Sequence, residues 1–175
     1  MQAQDSVDSE RMDGTVEADA FRTALGRFAT GVTVVTCRGA DGTLVGLTAN
    51  SFNSVSLDPP LVLWSLAKRA KSLDAFRDAT YFGVNVLAWN QVELARRFSS
   101  PLPDRFAGVT VIEGESGVPL LEGCVAHFVC TMHHQYDGGD HMIFVGRVLH
   151  CACEDHPALV YYSRRYAVTA DHPEA

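Results

Sequence analysis

The hydrophobic positions of this chain change period several times, and each change predicts an element. In "DAFRTALGRFATG" (19–31), Phe21, Ala24, Leu25 and Phe28 recur at i, i+3, i+4 and i+7, one face of a helix. Asp19 is suited to cap its start and Gly31 to end it. "VTVVTCRG" abandons that period for β-branched residues and reads as a strand. "ADG" turns it back into "TLVGLTANSF", which makes a hairpin. "DPP" blocks helix and sheet and redirects the chain. "LVLWSL" is a short, fully apolar run, hence a buried strand.

Further on, "KSLDAFRDAT" predicts a short helix capped by Ser72, and "YFGVNVLA" a strand. "NQVELARRF" has Asn90 as N-cap with Glu93 three residues later, a capping-box pattern. "SSPLPDRFAG" is a loop and "VTVIEG" a minor strand. Two long extended runs, "GCVAHFVCTMHHQYDGG" and "DHMIFVGRVLHCACE", flank the turn at residues 137–140. "PALVYYSRRYAV" gathers aromatics near the end. Six or seven strands with three short helices, strand following strand, predict a mainly β protein. Its architecture is an antiparallel barrel with helices packed at the barrel ends, not a doubly wound sheet.

Charge sharpens the domain boundaries. The net charge of −7 is uneven: residues 1–20 carry six acids and one base, a balance of −5, and the other 155 residues carry −2. Residues 1–16 are therefore expected to be a disordered acidic tail, and 17–175 a single domain. The nearly neutral body shows no basic stripe, which argues against a nucleic-acid partner. No apolar run approaches the ~20 residues of a membrane helix. The N-terminus lacks the apolar core of a secretory signal, so the expected location is the cytoplasm. Five cysteines without a CxxC pair suit reduced thiols there.

The chemistry-bearing residues narrow the reading by elimination. Cys124, His127, Cys130, His133, His134, His150, Cys151 and Cys153 all fall on the two long strands. Their spacing is wrong for a zinc site, since Cys130 and His133 point to opposite faces of a strand. Cysteines packing in a barrel wall, and no metal, are expected. GxSxG, GxGxxG and the P-loop are absent. What remains is the interrupted apolar run at 46–64, where Thr48, Ala49, Asn50 and Ser51 put short side chains in place of bulk. Turn chemistry explains such a run, and so does a flat polar ligand such as a flavin ring lying against the backbone. Ser72 beside Lys68, Arg69 and Lys71, with Arg96 and Arg97 further on, would supply a phosphate site, or a solvated helix cap.

Five stretches in one order carry a resemblance: "FRTALGRFATGVTVVT", "GLTANSFNSVSLDPPLVLWSL", "FGVNVLA" with "LARRF", "GGDHMIFVGRV" and "PALVYYSRRY". Over residues 19–167 the chain resembles the flavin reductase family, the small components of two-component flavin-dependent monooxygenases. The resemblance implies an FMN-binding split β-barrel, a homodimer, that moves hydride from NADH or NADPH to FMN or FAD. The reduced flavin goes to a separate monooxygenase, here expected to hydroxylate an aromatic compound. It implies that Thr48, Ala49, Asn50 and Ser51 lie along the flavin ring. Ser65, Leu66, Ala67 and Ser72, with Lys71 beside them, approach the ribityl and phosphate. Ala88, Arg97 and Phe98 complete the pocket. Gly139, Asp140 and His141 serve the nicotinamide, and His141 carries the catalytic role; Phe28, Ala29, Thr30, Gly31 and Tyr166 lie near the same nucleotide. Two departures stand out: Asn50 where relatives often carry serine, and a bulky Trp64 beside the phosphate segment. The competing readings are a flavin carrier or sensor of the same barrel, and a metal-binding barrel.

Overall fold

The computed structural model describes residues 16–170. Nearly all of the expected acidic tail, residues 1–15, thus lies outside the described residues. The chain forms α1 (Ala18–Leu25), β1 (Thr30–Gly31), β2 (Thr33–Arg38), β3 (Leu44–Ala49), β4 (Asn53–Leu57), β5 (Pro60–Ala67), α2 (Leu73–Asp78), β6 (Tyr81–Val86) and α3 (Val92–Ser99). It continues through β7 (Val111–Glu113), β8 (Pro119–Leu121), β9 (Ala126–Gly138), β10 (His141–Cys153), β11 (Leu159–Tyr162) and β12 (Arg165–Val168).

A seven-stranded antiparallel sheet in the order β3-β2-β6-β9-β10-β5-β4 curls around the main core. It does not close, because β3 and β4 remain its two edges, and the result is a split barrel. A smaller sheet, β1-β11-β12, lies beside it. The interior is aromatic: Trp64 is fully buried, stacked on Phe144 at 4.8 Å and edge-on to Phe76 of α2 at 4.9 Å. Asn85 is a buried polar hub: its Nδ2 donates to Val34 O at 2.9 Å, and its Oδ1 accepts from Leu121 N at 2.8 Å. That ties β6 to β2 and to the β7–β8 hairpin at a point where an apolar residue would leave backbone groups unsatisfied.

Several expectations are corrected. Twelve strands form among the described residues, not six or seven. The additional ones are short, such as the two-residue β1, or polar, such as β4, so they carry no hydrophobic alternation. The chain between residues 157 and 168 is itself a hairpin, turned by Ser163 and Arg164 at positive φ. The first helix stops at Leu25, and its cap is Glu17, whose carboxylate accepts from the Asp19 and Ala20 amides. Asp19 instead pairs with Arg22 one turn on, at 2.9 Å. Gly31 is not a helix terminator but part of β1. None of the apolar face of α1 is buried; Phe28 just beyond it is 72% exposed.

Gln91, not Asn90, occupies the cap position of α3, and its carboxamide accepts from Ala88 N and donates to Glu122 O. Pro60 does not stop the sheet; it opens β5, where a strand tolerates the missing donor. β5 is buried on one face only, through Val62, Trp64 and Leu66. Trp64 therefore belongs to the core and not to a phosphate site.

Candidate functional site

Because the barrel is split, the outer edge of β3 faces a cleft of about 1300 Å³. One wall is Thr43 and β3 from Leu44 to Thr48; the opposite wall is Leu66 near the end of β5, Ala70, Lys71 and Ser72 of the connection that follows, and Ala75 of α2. The third wall is Phe98 and the loop that follows α3, residues 99 and 101–107. Gly46 is required here, since a Cβ at that position would come within 2.7 Å of the Phe98 ring and 2.9 Å of Phe106. The Thr48 hydroxyl donates to Ala95 O at 2.6 Å and pins α3 against the same strand.

Arg105 shapes the third wall. Its Nη1 donates to Gly46 O at 2.8 Å and its Nε to Ser100 O at 2.9 Å, so one guanidinium holds the loop onto the strand. Asp104 fixes the loop locally by accepting from the Phe106 and Ala107 amides. Nothing in the local spacing of "PDRFAG" announces this contact, which joins residues 59 positions apart.

At the end of β3 the short side chains do structural and exposed duty together. Ser51 Oγ accepts from Ser65 N at 2.9 Å and donates to Ser65 O at 3.1 Å, bridging to the edge of β5 beyond its pairing with β4. Ala49 is buried and Asn50 is exposed. Along β5, register then links this bridge to the long hairpin: Ser65 lies opposite Ile143 and Ala67 opposite His141. Directly opposed residues share a face, so Ser65, Ala67 and His141 are on one side of the sheet, while Trp64, Leu66, Met142 and Phe144 are on the core side.

The turn between β9 and β10 is well fastened. His141 Nδ1 lies 2.6 Å from Asp140 Oδ1, which fixes the ring and holds the Asp140 carboxyl below its usual range. Lys68 donates its backbone amide to Asp140 O and its Nζ to Asp137, and that hydrogen bond lowers the Asp137 pKa. Gly139 takes a positive φ of 79° and donates to Asp137 Oδ1. The Ser65, Ala67 and Lys68 end of β5 and the turn bearing Gly139, Asp140 and His141 thus form one rigid corner.

Of the sequence-predicted residues, Thr48, Leu66, Lys71, Ser72 and Phe98 line the cleft. The Ser72 hydroxyl makes no cap bond to α2. Arg97 points its Nη1 at Ala107 O, 2.6 Å away, and lines a neighbouring cavity of about 360 Å³. Ala88 is buried in a bridge to Ala158. Phe28, Ala29, Thr30, Gly31 and Tyr166 fall on or beside the small sheet, where Thr30 pairs with Tyr161 and Tyr161 with Tyr166. Arg96 of α3 sits 5.9 Å over the Tyr166 ring. Burial, and then the neighbouring Tyr161, raise the Tyr166 pKa. α3 therefore touches Thr48 on one side and Tyr166 on the other, through consecutive residues. The Thr30 hydroxyl, like the Trp64 indole nitrogen, is buried without a hydrogen-bond partner among the described residues.

The cysteine–histidine strands divide differently. Cys37, Cys124 and Cys130 are buried, with thiols pushed up to about 12 by desolvation; Cys151 and Cys153 are exposed. Among the described residues no three of His, Cys, Asp and Glu converge as a metal-binding set. Nor, among them, is any helix long and apolar enough to cross a membrane.

Fold and site together define a split barrel with a nucleotide-scale cleft beside an unpaired strand edge. Residues 25–170 match the flavin reductase like domain, and the chain belongs to that family. It is 42% identical over 159 residues to the reductase component of the flavin-dependent trigonelline monooxygenase of Acinetobacter baylyi, covering 91% of this chain and 51% of that protein. It is 44% identical over 148 residues to the FMN reductase (NADH) SmoA of Agrobacterium fabrum, covering 85% and 84%. The solved NADH:FAD oxidoreductase of Streptomyces globisporus, in complex with NAD and FAD fragments, superimposes with a TM-score of 0.82 at 40% identity, covering 90% and 94%. The chain spans about half the length of the first of these relatives.

Proposed function

We propose that this chain is an NAD(P)H-dependent flavin reductase that reduces FMN or FAD and passes the reduced flavin to a separate monooxygenase acting on an aromatic compound. The observation that carries the reading is the cleft in the split barrel, lined by Thr48, Leu66, Lys71, Ser72 and Phe98, with the Ser51–Ser65 bridge and the His141 corner following along β5 and its partner strand. The names of the relatives, reductase components and NADH-dependent flavin reductases, point the same way.

Hydride transfer between two flat rings asks for orientation and a polar surround, not for a nucleophile or an activated acid. The inventory suits that demand. Thr48, Ala49, Asn50 and Ser51 offer backbone and short donors along a ring edge without bulk. Ser65, Leu66 and Ala67 bound the ribityl chain, and Lys71 and Ser72 meet the phosphate with a cation and a free hydroxyl. Ala88, Arg97 and Phe98 complete the pocket. His141, oriented by Asp140, steadies the nicotinamide with Gly139, the residues at 28–31 and Tyr166.

Two coarser features extend the reading. Leu57 at 95% exposure and Val55 on edge strand β4, with Phe21, Leu25 and Phe28, leave apolar surface that a second copy would cover as a homodimer. Dependence on the reduced nicotinamide pool, together with five free cysteines, fits the cytoplasm. The test is direct: the purified chain should oxidise NADH or NADPH faster when free FMN or FAD is added. Tight flavin binding without any such stimulation would move the protein to the carrier reading.

A further inference from the structure

Away from the cleft, β9 carries a bulge. His134 lies opposite Val145 and Met132 opposite Gly146, so His133 is an extra residue of β9 with no partner across the ladder to β10. A bulge suspends the strict alternation of sides and re-aims side chains. Here it brings two consecutive imidazoles together: the rings of His133 and His134 have centroids 4.2 Å apart, with their planes tilted by 54°. Both residues are exposed. β6 pairs with β9 only as far as Thr131, so no strand flanks His133 on that side. Among the described residues, His127 and His141 have ring hydrogen bonds, to Leu121 O and to Asp140, and His133 and His134 have none.

We propose that His133 and His134 form a chelating site for a divalent transition-metal ion of the Ni(II), Cu(II) and Zn(II) class, with water in its remaining positions. An ion about 2.0–2.1 Å from each imidazole nitrogen needs the two nitrogens about 3 Å apart, and ring centres 4.2 Å apart meet that with small side-chain rotations. Imidazole suits these ions, whereas calcium and magnesium take oxygen ligands. Two donors make an exchangeable surface site and not a resident centre, in keeping with the lack of any converging set of three among the described residues. The ion is separate from the corner that holds His141. Val145, opposite His134, is four residues from His141 along β10, roughly 13 Å of strand. The spacing of the sequence hides the site, because neighbouring residues of a regular strand face opposite sides and only the bulge makes these two converge.

Nickel chloride is the probe, titrated calorimetrically into the untagged full chain after dialysis against a chelator. It should bind at one equivalent per chain, with a dissociation constant on the order of 10 μM. His133→Gln and His134→Gln should each weaken binding about tenfold or more, since a single imidazole cannot chelate, and should leave the circular dichroism spectrum unchanged. The exposed thiols of Cys151 and Cys153 are the competing ligands, so the double variant Cys151→Ser/Cys153→Ser should bind nickel as the parent does. Absence of nickel binding, binding that survives both histidine substitutions, or loss of binding in the cysteine variant would each overturn the inference. All three outcomes leave the reductase reading standing, because that reading is tested by flavin-stimulated oxidation of NADH or NADPH.

Discussion

The two faces of β5 obey different rules. On one face Val62, Trp64 and Leu66 are buried in a core cluster that includes Phe76, Phe82 and Phe144. On the other, Ser65 and Ala67 are small, half-buried, and tied to Ser51 and His141 by hydrogen bond and register. The first face packs the core, with Leu66 at its end also reaching the cleft, and the second carries short side chains. A strand whose residues alternate at period two can hold both assignments in eight residues without compromise between them. Stability and binding should therefore be separable here by moving a single position along the chain.

The sharpest test is a pair of neighbours. Trp64→Ala should cost about 3–5 kcal/mol of unfolding free energy by chemical denaturation, the range for a large buried aromatic. Ser65→Val should leave the denaturation midpoint nearly in place while weakening flavin binding about tenfold, because a branched side chain enters the face of short side chains. If Ser65→Val instead unfolds the protein and spares binding, the division between faces is wrong. Next in size, His141→Ala should lower kcat/KM for the nicotinamide about tenfold or more, with flavin affinity and melting temperature little changed. Equal losses of flavin and nicotinamide would make His141 a structural residue of the corner.

Thiol chemistry gives a third contrast between filled and open regions. At pH 8 a disulfide reagent should label Cys151 and Cys153 quickly, and Cys37, Cys124 and Cys130 only after unfolding, since burial holds these three near 12. A raised thiol pKa stabilises the folded state fully below the unfolded value of 9.0 and is lost as pH climbs toward 12. Unfolding should accordingly become easier above pH 9, and less so in Cys37→Ala. The smallest effect concerns Asp140. Its pKa is depressed in the folded state, so its favourable contribution is present above the unfolded value and fades as pH falls through the folded one. Asp140→Asn should flatten the acid limb of a melting-temperature profile slightly, and an unchanged limb would show that the pairing with His141 does not persist in solution.

Most of the sheet was readable because its signals are local. β-branched runs, the "ADG" turn with Gly42 at positive φ, and the turn at residues 137–140 each announce themselves within a few residues. β4 was not readable, since an exposed edge strand of Asn, Ser and Val lacks an apolar face. Trp64 was legible as part of the apolar run 61–66, and the structure buries it on the core face of β5, away from the phosphate segment it precedes in sequence. The cap of α1 moved to Glu17 because its carboxylate reaches the two amides that follow. Of the cleft, Thr48, Leu66, Lys71, Ser72 and Phe98 were named from residue type and resemblance. Arg105 was invisible, as its partner Gly46 is brought beside it only by the closing of α3 and its loop over β3.

The hold of Arg105 on Gly46 also has a consequence for how the protein lives in a crowded solution. A bare strand margin is an invitation to any other extended segment, and most folds blunt theirs with charge. This one stays open along the cleft. A fixed guanidinium at its midpoint interrupts the run of free carbonyls and sets a positive charge where an intruding chain would zip, so the margin can stay open to the cleft while refusing another strand.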